Sequence, residues 1–191
     1  MVELLDRLLP GAPLVEIDEV VIDAPAQAVW AAVRHGSIGG AGFVRLLFAL
    51  RTIPERLLGH GDDLRLRIDE MRSSPERPGF QLLLEEPGRE AAVGAIGKVW
   101  RARIPFLHVD AAAWEAFAEP GWVKVAWALR VTRHEGGSRL AIEARVDATD
   151  DLSWLRFRRY FRVIGPFSRA IRRSLLRGVA RELEGGARLR A

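Results

Sequence analysis

The sequence predicts an α+β fold: a curved antiparallel sheet wrapped round a long C-terminal helix, with two short helices after the first strand. Three observations predict it. From Thr149 to Glu184, large apolar side chains (Phe157, Tyr160, Phe161, Ile164, Phe167, Ile171, Leu175, Val179) recur every three or four residues, one face of an amphipathic helix. The middle of the chain is a series of short apolar and alternating runs punctuated by Gly and Pro, which reads as strands. The first strand, Leu14–Asp23, passes directly into a helix at Asp23-Ala24-Pro25. A long helix with one apolar stripe must rest on an apolar partner, and the sheet is the large one on offer.

The elements follow in order. Residues 2–9 (VELLDRLL) form a short helix ended by Pro10-Gly11 or, the preferred reading, a packing arm. In the first strand Val15, Ile17 and Val21 lean one way, with Glu16 and Asp18 between them. The first helix carries Ala28, Val29, Trp30, Ala32 and Val33 and stops at Gly36, Gly39 and Gly40. A second runs from Phe43 to Leu50 with Val44, Leu47 and Phe48. Leu64–Ile68 alternates strictly, Gly79–Glu86 is closed by Pro87-Gly88, and in Ala91–Trp100 the glycines Gly94 and Gly97 mark a bulge or bend that lets the sheet curl. Trp114–Ala118 is a short strand. Trp122–Thr132 and Ser138–Ala148 form a hairpin over Glu135-Gly136-Gly137. Val123, Val125, Trp127, Leu129 and Val131 share one of its faces, and so do Leu140, Ile142, Ala144 and Val146. The final helix is broken once at Gly165-Pro166, because Pro166 has no N–H for the carbonyl of Arg162.

Nothing in the 191 residues divides this into parts, so one domain is expected over 1–191, with 1–13 an arm or short helix, 14–184 the core and 185–191 a tail. The absence of cysteine excludes disulfides and thiolate metal sites and fits a reducing cytoplasm. Met1–Leu9 lacks the basic start of a signal peptide, and no apolar run approaches the roughly 20 residues that cross a bilayer. The net charge is +4, and of 29 basic residues only Lys98 and Lys124 are lysine. Arginines concentrate on the last helix (Arg156, Arg158, Arg159, Arg162, Arg169, Arg172, Arg173, Arg177, Arg181). They alternate with its apolar stripe as a solvated face does, and this argues against a nucleic-acid partner.

The opening strand into Asp23-Ala24-Pro25…Val29-Trp30, the turn Gly136-Gly137-Ser138-Arg139-Leu140 and the closing amphipathic helix resemble the START-like superfamily, also called SRPBCC or the helix-grip fold. That superfamily includes polyketide cyclases, coenzyme-Q-binding proteins and lipid-transfer domains. The segments Arg51…Pro54-Glu55-Arg56-Leu57, Val93-Gly94-Ala95-Ile96-Gly97 and Arg158-Arg159-Tyr160-Phe161 are similar to a bacterial group within it. The resemblance covers residues from about 14 to 182. It implies a cavity between sheet and helix that binds a small hydrophobic molecule of lipid, polyketide or quinone type, with no cofactor. The implied lining is Phe48, Trp100, Phe106, Trp114, Phe117, Trp127, Phe157, Tyr160, Phe161 and Ile164. The aromatic half of the last helix would face this pocket, while Ile171, Leu175 and Val179 seal the core.

Signatures of chemistry are sparse. His35, His60, His108 and His134 form no metal-ligand spacing, and phosphate-loop and nucleophile-elbow patterns are absent. His108 lies in an apolar stretch, and Glu115 sits between Trp114 and Phe117. Glu143 and Arg145 lie two apart on one strand. If that side were concave, Glu143 could serve as a base and Arg145 could hold an enolate oxygen beside Tyr160. The simpler reading is an exposed ion pair on the wet, convex side. Binding or transport comes first. A cyclase or dehydratase using Glu115, His108, Tyr160 or Glu143 is the second reading, and a protein-interaction or membrane-surface module using the arginine face is the third.

Overall fold

The computed structural model describes residues 3–35, 68 and 71–188. In chain order the elements are α1 (Leu4–Leu8), β1 (Leu14–Ile22), α2 (Ala26–His35), β2 (Gln81–Glu86), β3 (Glu90–Gly97), β4 (Phe106–Leu107), α3 (Ala111–Trp114), β5 (Val123–His134), β6 (Gly137–Ala148) and α4 (Asp151–Arg188). The expected second helix, Phe43–Leu50, lies outside the described residues. So does the expected strand Leu64–Ile68 apart from Ile68, which is buried in the main core.

The strands make one antiparallel sheet in the order β1-β6-β5-β3-β2, with β4 paired to the end of β3. β5 and β6 pair from Val123↔Ala148 to His134↔Gly137, and Gly136 turns the hairpin with φ +76°. One long helix lies against β1, β6 and β5. This is the helix-grip α+β arrangement.

Register decides which side chains face α4. Leu14, Glu16, Asp18 and Val20 of β1 stand opposite Val146, Ala144, Ile142 and Leu140 of β6, which in turn stand opposite Val125, Trp127, Leu129 and Val131 of β5. These residues, with Ala91 and Val93 of β3, form the inner face. Val29 and Val33 of α2 and Leu176, Val179 and Ala180 of α4 pack onto it as the main core. The side of β1 that carries its acids is therefore the inner one. Its ends, Leu14, Val20 and Ile22, share a parity with Glu16 and Asp18, and burying those ends turns both acids inward. Val15, Ile17 and Val21 are left on the outer side, where Ile17 is 51% exposed.

The outer face is not wet. Ala92, Ala126 and Ala128 present little bulk, so Leu4, Leu5, Leu8 and Leu9 of the α1 region lie close on them together with Trp114. Gly94 does the same on this face and Gly97 on the inner one, and neither bulges: β3 pairs with β5 without a register shift, and the irregularity falls at Leu82/Leu84 of β2. A Cβ on Gly94 would stand 2.5 Å from Leu83 and 3.0 Å from Trp114, and one on Gly97 would stand 2.9 Å from Phe106. Both glycines clear space for side chains that pack flat on the sheet. The expected strand at Trp114–Ala118 is instead the end of the one-turn helix α3 and a turn, with Trp114 as its buried anchor.

α4 is helical from Asp151 to Arg188, through Gly165-Pro166, so the expected break is absent. Pro166 forfeits one hydrogen bond and crowds one carbonyl, a cost of about 3 kcal/mol in a helix interior. Burial on both sides of it, by Phe157 before and Leu176 and Val179 after, outweighs that. Phe167, expected in the apolar stripe, is exposed. Asp150 caps the helix. It accepts hydrogen bonds from the Ser153 amide at 2.9 Å, the Ser153 hydroxyl at 2.7 Å and the Gly121 amide at 2.5 Å. The Ser153 and Gly121 amides are the main reason its carboxyl pKa falls to about 2. A carboxylate depressed in the folded state stabilises above its unfolded value and loses that contribution as pH falls through the folded one. Thermal melts of Asp150→Asn are therefore expected to lie below wild type at neutral pH, with the gap closing between pH 4 and about pH 2. A pH-independent gap would refute the cap's ionic character.

Candidate functional site

Between the inner face and the first half of α4 lies an apolar cavity of about 60 Å³. Leu14, Val125, Ala144 and Val146 form its floor, and Phe157, Tyr160, Phe161 and Ile164 of α4 form its roof. Phe80, Val99, Ile104 and Phe106 close one side. The rings are mutually packed: Phe157 stacks on Phe161 at 5.3 Å and on Trp154 at 5.6 Å, and Phe80 meets Phe106 edge-on at 5.9 Å.

One end of the cavity is polar. Glu16, Ser168 and Arg172 line it. Arg172, only 1% exposed, donates from Nε to Asp18 Oδ2 at 2.9 Å and from Nη1 to Ser168 Oγ at 3.0 Å, and its Nη2 lies 2.8 Å from Glu16 Oε2. The other oxygen of Asp18 accepts from Arg173 Nε at 2.8 Å. Burial alone would raise the Asp18 pKa, but hydrogen bonds from Arg173 and Arg172 outweigh it and hold the carboxyl below its ordinary value. Asp18 is thus a fixed anion, and Arg172 is a buried cation fastened on three sides. Sequence reasoning assigned Arg172 to the solvated face and gave the β1 acids no side, so it missed this group. The available signal was parity: Glu16 and Asp18 share a strand face with Leu14, Val20 and Ile22.

Of the expected lining residues, Phe106, Phe157, Tyr160, Phe161 and Ile164 border the cavity. Trp100 packs beside it with Val123 and Phe157, while Trp127 lies in the main core on the inner face. Trp114 and Phe117 belong to the outer-face cluster and face away from the cavity, because α3 crosses the opposite side of the sheet. Phe48 is outside the described residues.

The polar candidates divide in the same way. Tyr160 borders the cavity. Glu115 is exposed on the outer side, where its backbone carbonyl accepts from Lys124 Nζ at 2.9 Å. His108 lies on a loop, with Nδ1 3.0 Å from Ser73 Oγ and Nε2 3.5 Å from Asp110. Glu143 and Arg145 are on the convex side, as the simpler reading had it, but the pair is not exposed. Glu143 is 3% exposed, its Oε1 2.6 Å from Arg145 Nε. Arg145 also holds Asp6 at 2.7 Å and the Leu9 carbonyl at 3.2 Å, and so ties down α1. Arg130 joins Glu3, Glu90 and Glu143 in the same network, and the Leu4 amide donates to Glu90 at 3.3 Å. These groups clamp a helix onto a sheet and do not converge on a cavity. Among the described residues, no group of three or more His, Asp or Glu could hold a metal ion.

No protein-family model matches the chain, and neither does any curated protein. Solved structures do. Protein MLL2253 from Mesorhizobium loti is 14% identical, with 85% of this chain and 96% of that one covered and a TM-score of 0.37. Protein Ms6760 from Mycobacterium smegmatis is 10% identical, with 94% and 92% covered and a TM-score of 0.36. Ara h 8.0201 is 8% identical, with 90% and 98% covered and a TM-score of 0.28. At TM-scores this low these likenesses decide nothing about activity. The helix-grip assignment rests on the chain's own strand order and register.

Proposed function

We propose that this protein binds a small amphipathic molecule, of lipid, polyketide or quinone type, between the sheet and α4. Its apolar body would lie against Phe106, Phe157, Phe161 and Ile164, and its polar end would point at Glu16 and Arg172. The observation that carries this reading is the union of a nearly all-apolar lining with one buried, multiply anchored charged group at its end. Ligand sites are built that way: apolar walls for affinity and a few placed polar groups for orientation. Superfamily membership of START-like type and a cytoplasmic setting belong to the same proposal. The cyclase or dehydratase alternative keeps only Tyr160 of its four candidate groups beside the cavity, so the geometry favours binding over catalysis.

The cavity of about 60 Å³ holds a few waters, whereas sites for drug-sized ligands run to roughly 300–1,000 Å³. Binding must therefore part α4 from the β2–β4 side of the sheet. The test is native mass spectrometry with solvent extraction of freshly purified protein, followed by a thermal-shift panel of fatty acids, aromatic polyketides and quinones. We expect a co-purifying compound or a stabilising hit, lost in Ile164→Trp, which fills the cavity. A protein that carries nothing and is stabilised by none of the panel would sink the reading.

A further inference from the structure

We propose that the outer face of α4 seats the protein on an anionic lipid surface. Leu152, Leu155, Val163 and Phe167 are large apolar side chains exposed on this one helix, with Val163 65% and Phe167 48% exposed. Their spacing of three, four and eight residues puts them on one side, opposite Phe157, Phe161 and Ile164. Arginines surround them. Arg156, Arg158, Arg159, Arg162, Arg177 and Arg181 are exposed and have no acidic partner among the described residues. The chain has 25 acidic residues, yet none falls between Leu152 and Arg181. By contrast, Arg169 and Arg173 reach Asp18, so their charge is partly spent inside the fold.

Charge alone would describe a solvated face. A solvated face does not need leucine, valine and phenylalanine held in water beside the guanidinium groups. A nucleic acid would take the charge and leave the aliphatic groups unused. A lipid surface uses both: apolar side chains pass between headgroups while guanidinium groups bind the lipid phosphates. Arginine stems add apolar surface and keep their charge at the headgroup level. Among the described residues no helix is long and apolar enough to cross a membrane, so this contact is peripheral. It uses the turns whose inner side roofs the cavity, but it requires no ligand there and stands apart from the binding proposal.

The test is flotation of the full chain with vesicles of phosphatidylcholine alone and of phosphatidylcholine mixed with phosphatidylglycerol, at low and physiological salt. The expected result is about tenfold or greater preference for the anionic vesicles, weakening as salt rises. Val163→Asp with Phe167→Asp should remove about tenfold or more of that binding, and so should Arg158→Glu with Arg159→Glu. All four residues are exposed, so circular dichroism and the melting temperature should match wild type. Equal partition onto neutral vesicles, or no binding to either kind, would overturn the proposal. So would tighter binding to duplex DNA that is indifferent to the two aspartates.

Discussion

Arg172→Ala is expected to cost about 3 kcal/mol of folding stability, because it strands a carboxylate that was buried with its partner. Asp18 keeps Arg173, itself half exposed, but loses the inner bond at 2.9 Å. Glu16 and Ser168 lose their contact at the same time. Much of the cost should come from the uncompensated charge and little from the pair itself. Arg172→Met combined with Asp18→Leu should therefore recover most of the loss, as apolar replacements of buried ion pairs commonly do. Urea unfolding of the two variants separates these contributions. An Arg172→Ala midpoint indistinguishable from wild type would show that the contact is incidental.

Phe157→Ala should be comparably severe, at about 3 kcal/mol, since a ring 3% exposed is removed from a stack with Trp154 and Phe161. The effect on binding runs the other way. The vacated space joins the apolar cavity beside it, and an enlarged apolar hole accepts small aromatic guests. Benzene or indole should raise the melting temperature of the variant more than that of wild type. If neither does, the neighbouring rings have collapsed into the gap and the cavity is not continuous with the Phe157 site.

What the sequence made legible followed strong periodicity. The β5–β6 hairpin and its face assignment were plain because Val123 to Val131 and Leu140 to Val146 alternate over many residues. The amphipathic α4 was plain for the same reason, and its aromatic half does border the cavity. The strand β1 was not, because Val15, Ile17 and Val21 compete with Leu14, Val20 and Ile22 for the inner face, and hydrophobicity alone cannot break that tie. The partner breaks it: Arg172 and Arg173, far along the chain, reward burying Asp18. The outer face was misjudged on similar grounds. Glu143 and Arg145 look wet until α1 is known to cover them, and nothing in residues 2–9 announces where that helix docks. Gly94 and Gly97 signal a special backbone position, but bulging and close approach leave the same mark in a sequence.

The contacts that close this fold join its two ends. Asp6 meets Arg145 across 139 residues, and Asp18 meets Arg172 across 154. A chain emerging from the ribosome can form the β5–β6 hairpin from neighbouring residues, but the inward acids of its first strand, Glu16 and Asp18, have no cation until the last helix arrives. Such long-range closures carry a large loop entropy before any contact repays it, which slows folding. Leu4, Leu5, Leu8 and Leu9 stay uncovered until β3, α3 and β5, which carry Ala92, Trp114, Ala126 and Ala128, have been made. That interval is when this protein has most need of a chaperone.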